Sequence, residues 1–165
     1  MQPTMKPQYI YRVLDFENYD GDSVNCTLDL GFDLVIHIKS RVNGIDTPEL
    51  RGGTILSKKA ARLAKNAVYD WLTDKMKNGQ CFFESNDYRG KFGRPLGDFV
   101  DIDESGILKS RLTKYLVDEN LAVPYHGQAK SEVARAHEKN IGILFKKRKL
   151  DLTKEELDLY SRMLS

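Results

Sequence analysis

The chain has 165 residues, 41% of them hydrophobic and 30% charged, which is the make-up of one soluble folded domain able to bury a core without disulfides or structural metals and excludes a disordered chain. With 26 basic against 24 acidic residues the formal net charge is only +2, so the placement of charge carries the information and its total does not. No apolar run is long enough to span a membrane, and residues 1–7 lack the apolar core of a signal peptide; a cytoplasmic location is expected, with secretion only if a leader has been removed.

In chain order, residues 9–16 (YIYRVLDF) read as a first strand, rich in aromatic and β-branched side chains. After the polar turn 17–22 comes SVNCTLDL, in which Val24, Cys26, Leu28 and Leu30 alternate with polar partners. Gly31-Phe32-Asp33 makes the next turn, and LVIHIKSRV alternates again, with Leu34, Ile36, Ile38 and Val42 on one face and His37, Lys39 and Arg41 on the other. A helix is predicted over 55–76, where Ala60, Leu63, Ala64, Ala67, Val68, Trp71, Leu72 and Met76 recur at three- and four-residue steps before Asn78-Gly79 ends it. Two strands follow, at 80–85 and 94–102, separated by a polar loop over 86–93. Helices are predicted at 108–119, 131–140 and 153–164, the last opening on the capping-box spelling Thr153-Lys154-Glu155-Glu156 and carrying a stripe of Leu157, Tyr160 and Leu164. This order is that of an α+β fold, a five-stranded Greek-key β-barrel of the OB type with about three packed helices and an extra C-terminal helix; other α+β arrangements fit the same order.

Three segments hold chemistry. They are Asp20-Gly21-Asp22-Ser23 at the first turn, Arg41-Val42-Asn43-Gly44-Ile45-Asp46-Thr47-Pro48-Glu49 at the end of the third strand, and Lys91-Phe92-Gly93-Arg94 before the fifth. Each alone is an ordinary turn or strand end. Together they match what phosphodiester hydrolysis needs. Carboxylates, here Asp22 and Asp46, hold a hard cation that polarises the phosphoryl oxygen. A further carboxylate, Glu49, takes the proton of the attacking water. Arginines, here Arg41 and Arg94, meet two phosphate oxygens with one planar fork as negative charge builds. Cys26 and Cys81 lie in strands and read as buried small hydrophobes, while His37, His126 and His137 form no pattern.

These segments resemble the motifs of the staphylococcal-nuclease (thermonuclease) family. Asp-Gly-Asp-Ser, the Arg41-to-Glu49 block and the late Gly93-Arg94 stand in the family's order and approximate spacing, and the Arg41-to-Glu49 block is the specific part. The resemblance runs from about Tyr11 to Phe145 and takes in the first helix, Leu121-Ala122-Val123-Pro124-Tyr125 and Gly142-Ile143-Leu144-Phe145. It implies a nuclease domain over 9–145, with 146–165 as a basic segment and C-terminal helix packed on it or appended to it. It further implies that Asp22 and Asp46 ligate Ca²⁺ through their carboxylates and Thr47 through its backbone carbonyl. Glu49 activates the water, and Arg41 and Arg94 bind the scissile phosphate. Lys91 and Tyr125 resemble family residues that touch a terminal phosphate or stack on a base.

The sequence departs from the family's pattern at Gly90, where an acidic residue is common, at Pro95 directly after Arg94, and in the short loop 50–54. Pro95 removes a backbone donor and predicts an edge position or a bulge. The expected function is calcium-dependent hydrolysis of DNA and RNA with little sequence preference, by a monomer with no obligate protein partner and no membrane. The alternative is a non-catalytic module on the same barrel that binds single-stranded nucleic acid or a peptide. Family members of that kind typically lack some of the charged residues, whereas Asp22, Arg41, Asp46, Glu49 and Arg94 are all present here. The run Lys146-Lys147-Arg148-Lys149 reads as a solvated helix end that secondarily offers a grip on a nucleic-acid backbone.

Overall fold

The computed structural model describes residues 9–163, with side chains at all of them except 86–88; residues 1–8 and 164–165, with Leu164 of the predicted stripe among them, lie outside the described residues. Strands β1 (Ile10–Asn18), β2 (Ser23–Gly31) and β3 (Leu34–Val42) form an antiparallel meander, and β5 (Cys81–Arg89) and β6 (Pro95–Ile102) form an antiparallel pair beside it. Between them the chain makes the short strand β4 (Ile45–Asp46) and the long helix α1 (Ile55–Lys77). Pairing of β1 with β5 joins the two groups, and a parallel contact of β3 with β6, Arg41 opposite Leu96 and Val42 opposite Gly97, closes the five strands into a barrel. The architecture is therefore the α+β, OB-type barrel with added helices that the element order predicts.

The barrel and helix faces share one core. Val13, Val24, Cys26, Leu28, Val42, Phe83 and Phe99 meet Leu56, Ala60, Ala64, Val68 and Leu72 of α1, and the rings of Phe83 and Phe99 touch edge to face at 5.3 Å between centroids. Thr54 caps α1 by accepting a hydrogen bond from the Ser57 amide at 3.1 Å, and Gly79, at φ +63°, takes the left-handed turn that ends it. Both cysteines are buried and unpaired, and burial pushes each thiol up to about 12.

Several expectations change. Leu34 and Ile36 do not join the core, because the β2–β3 hairpin runs past the barrel; they are exposed, as are Leu30, Phe32 and Val35, and the buried face begins only at the half-buried Ile38, continuing through Ser40 and Val42. The predicted helix over 108–119 is split into strand β7 (Leu108–Arg111), hairpin-paired with β6 around Gly106, and helix α2 (Leu112–Asp118). Tertiary pairing with an exposed strand edge outweighs helical propensity there. The polar loop is shorter than 86–93, since β5 runs to Arg89; its pairing with β6 is irregular between Ser85 and Arg89, opposite the stretch that starts at Pro95.

After α2, strand β8 (Val123–Pro124) pairs with β4, and helix α3 (Lys130–Lys146) carries Gly142 to Phe145 as its last turn rather than stopping at 140. Helix α4 (Lys154–Met163) opens with the reciprocal cap that its sequence spells: Thr153 Oγ1 accepts from the Glu156 amide at 3.2 Å, and Glu156 accepts from the Thr153 amide at 3.0 Å. It packs on the domain. Lys59 of α1 pairs with Glu156 at 2.7 Å, and the Tyr160 hydroxyl donates to the Glu138 carbonyl at 3.3 Å over the face of α3 that Gly142 leaves bare. The basic run 146–149 is exposed at the end of α3, with Lys147 donating to the Asn120 side chain and Lys149 facing Glu119. Among the described residues no helix is long and apolar enough to cross a membrane.

Candidate active site

The site is assembled where three connections meet at one mouth of the barrel. The β1–β2 turn is tied by Asp20, whose carboxylate accepts from the Asp22 amide at 3.0 Å and the Ser23 amide at 2.7 Å, and by Asn18, which donates to the Lys65 carbonyl of α1 at 2.9 Å. Gly21 is required by close approach: a Cβ there would lie 2.7 Å from the Thr47 methyl. That contact brings Asp22 against the chain leaving β4. The Thr47 amide donates to Asp22 Oδ2 at 3.1 Å, and the Val42 amide donates to the Asp22 carbonyl at 2.9 Å.

Arg41 joins the two aspartates. Its guanidinium lies 3.1 Å from Asp22 Oδ1 and 3.6 Å from Asp46 Oδ1. Arg94 arrives from the start of β6 and donates to Ser23 Oγ at 3.3 Å, beside Asp22. Glu49 is exposed and makes no hydrogen bond or ion pair among the described residues. Asp22, Arg41, Asp46, Thr47, Glu49 and Arg94 all line one cleft of about 520 Å³. A second cleft of about 540 Å³ shares Arg41, Asp46, Glu49 and Arg94 with the first and extends to Lys91, Phe92 and Tyr125. All eight residues singled out in the sequence thus line two overlapping clefts. Tyr125 comes within reach because its amide donates to the Gly44 carbonyl at 2.9 Å, continuing the β4–β8 pairing.

Four carboxylates (Asp20, Asp22, Asp46, Glu49) and four cations (Lys39, Arg41, Arg51, Arg94) line the first cleft. Burial pushes the Asp22 carboxyl up to about 6 from the ordinary 3.8; Asp20 and Asp46 push the same way, and the Arg41 charge and the Thr47 amide offset only part of the effect. Buried carboxylate oxygens with like charges beside them suit a hard divalent cation, which would relieve both the burial cost and the repulsion. Asp22 and Asp46 are the side chains that fit such an ion. Among the described residues no three His, Cys, Asp or Glu side chains converge on one point, so a cation here would take its remaining ligands from backbone, water or substrate.

Two residues at the site carried no signal of their own in the sequence. Phe92 stands 95% exposed at φ +68° on a 3-10 turn (Lys91–Gly93), an apolar ring facing the second cleft. His137 on α3 places Nε2 2.7 Å from Asp46 Oδ2. A histidine ninety-one residues downstream of its carboxylate partner leaves no local spacing to read. Arg89 braces its own loop by donating to the Gly93 carbonyl at 2.9 Å. Arg51 lines the first cleft, its guanidinium 5.7 Å from the centroid of the Tyr19 ring. No family model matches this chain, and no curated protein matches it.

Proposed function

We propose that this chain is a calcium-dependent nuclease of the staphylococcal-nuclease type, hydrolysing DNA and RNA with little sequence preference. The observation that carries the reading is the Arg41 guanidinium bridging Asp22 and Asp46 in a cleft that also takes in Glu49 and Arg94. Three chemically distinct requirements of phosphodiester hydrolysis (cation-binding oxygens, a proton acceptor and paired phosphate donors) then fall within one cavity. The resemblance of the three segments to that family, which rests on the same residues, points to the same chemistry.

In this reading Asp22, Asp46 and the Thr47 carbonyl hold Ca²⁺, which when bound supplies Lewis-acid polarisation of the phosphoryl oxygen. Arg41 and Arg94 come from separate strands and take the non-bridging oxygens of the scissile phosphate, with a hold that tightens as negative charge grows. Glu49, without a partner among the described residues, accepts the proton of the attacking water as the water oxygen bonds to phosphorus; the opposite phosphorus–oxygen ester bond breaks, and the departing nucleotide oxygen takes a proton from solvent. Lys91 extends the cationic surface along the second cleft, and Phe92 and Tyr125 offer rings on which bases stack without regard to sequence. The non-catalytic alternative would use the second cleft and leave the first idle.

The test is digestion of plasmid DNA and of RNA with calcium, with magnesium and with chelator. Cleavage that needs calcium, is lost in chelator and is poorly restored by magnesium is expected, because an irregular set of few protein oxygens suits the larger ion. Full cleavage in excess chelator by protein free of contaminating nuclease refutes the metal site. Tight binding of single-stranded DNA with no cleavage under any condition favours the non-catalytic module.

A further inference from the structure

The contact between α3 and the candidate cation site does not follow from the three motifs. His137 is only 14% exposed along its side chain, and its Nε2 lies 2.7 Å from Asp46 Oδ2. The other ring nitrogen, Nδ1, is fully buried and has no hydrogen-bond partner among the described residues. A buried N–H without a partner is costly, whereas a bare ring nitrogen costs less. The tautomer that suits this surrounding keeps its proton on Nε2 and donates it to Asp46.

That single donor decides how Asp46 sits. One carboxylate oxygen is occupied by His137, so the other, Oδ1, is the one turned toward Arg41 and thus toward Asp22. We infer that His137 is a positioning residue for the metal site, holding Asp46 in the orientation that presents Oδ1 to a bound divalent cation. The inference rests on the calcium-binding reading of Asp22 and Asp46. A histidine that orients a carboxylate ligand through a second hydrogen bond works in the same sense as the outer partners that orient metal ligands elsewhere, whose loss typically costs about 10–100-fold in metal affinity or activity.

The helix that carries His137 is itself held in place. The Glu138 carbonyl, one residue on, receives the Tyr160 hydroxyl of α4, and α4 is anchored to α1 through Glu156 and Lys59. Val133, Ala134 and Ile141 of α3 line the hollow between His137 and Thr47, with Met163 of α4 closing it. The aim of Asp46 is thus set through α3, an element remote from the strands that bear the motifs.

The experiment compares wild type, His137→Leu and His137→Gln in two readouts. One is the calcium concentration needed to raise Tm in protein first stripped with chelator, and the other is the calcium concentration for half-maximal DNA cleavage. His137→Leu is expected to raise the calcium requirement about 10–100-fold in both readouts. Its Tm in chelator should stay near that of wild type. His137→Gln, whose side-chain amide places an N–H donor near the position of Nε2, should restore the requirement to within about threefold of wild type. A calcium requirement unchanged in His137→Leu overturns the positioning role while leaving the calcium reading intact. Wild type with no calcium response in Tm or cleavage overturns the calcium reading, and the role of His137 with it. Should the leucine variant fail to fold, His137→Asn, one carbon too short to reach Asp46, takes its place, and a wild-type requirement there overturns the inference equally.

Discussion

Replacing Asp22 with Asn should stabilise the protein in chelator at neutral pH while removing its response to calcium. The Asp22 carboxyl is pushed from 3.8 to about 6, chiefly by burial. About two pKa units at roughly 1.4 kcal/mol each mean that holding this group ionised costs the folded state up to about 3 kcal/mol at neutral pH. Asparagine keeps an oxygen for the Thr47 amide and discards the charge. The attraction of Arg41 is already contained in the net shift, and Arg41 keeps Asp46 as a partner.

The expected gain is about 1–3 kcal/mol, or roughly 3–8 °C in Tm for a chain of this size. Its pH dependence has a definite sign. An acid whose folded pKa is raised binds its proton more tightly in the folded than in the unfolded state. Wild-type stability from this group therefore falls as pH rises from about 4 to about 6, and stays low above that. The advantage of Asp22→Asn should be small near pH 4 and complete above pH 6. Thermal unfolding of both proteins across this range in chelator measures it, and adding calcium should raise Tm in wild type only. A variant no more stable than wild type at pH 7.5 in chelator would refute the reasoning, as would an advantage undiminished at pH 4.

Glu49→Gln keeps the shape of an exposed side chain and removes the proton acceptor; kcat should fall about 10²–10⁴-fold with a smaller change in KM, and undiminished turnover would remove Glu49 from the chemistry. Arg41→Lys and Arg94→Lys should each cost about 10²-fold or more in kcat, since a point charge does not replace a two-pronged contact. Arg94→Lys with near wild-type turnover would reduce Arg94 to its link with Ser23. Deleting residues 151–165 removes the half-buried Leu152, Tyr160 and Met163 and the Lys59–Glu156 pair, and should lower stability by about 2–4 kcal/mol, read as a lower Tm. Activity of that truncation, measured well below its Tm, is expected to stay within a few-fold; a larger loss would show that α4 acts through α3 on Asp46.

Residue order alone determines the elements whose signal is local. Alternation in 23–30 and 34–42, the three- and four-residue recurrence in α1, and the Thr153–Glu156 cap each act over a few residues, so their physics is complete within the segment. The three charged segments were legible for the same reason, as was the barrel that their order implies. What required the tertiary structure is everything set by partners distant in the chain. Leu108–Arg111 is a strand because β6 has an edge to offer it, and Leu34 and Ile36 are exposed because the hairpin outruns the barrel that would have covered them. Asp22 acquires its raised pKa only when Thr47, Arg41 and Asp46 close around it, and α3 brings His137 to Asp46 across ninety-one residues. Burial and long-range hydrogen bonds are properties of the packed state, and periodicity, which reports only which face a residue shares with its near neighbours, has no term for them.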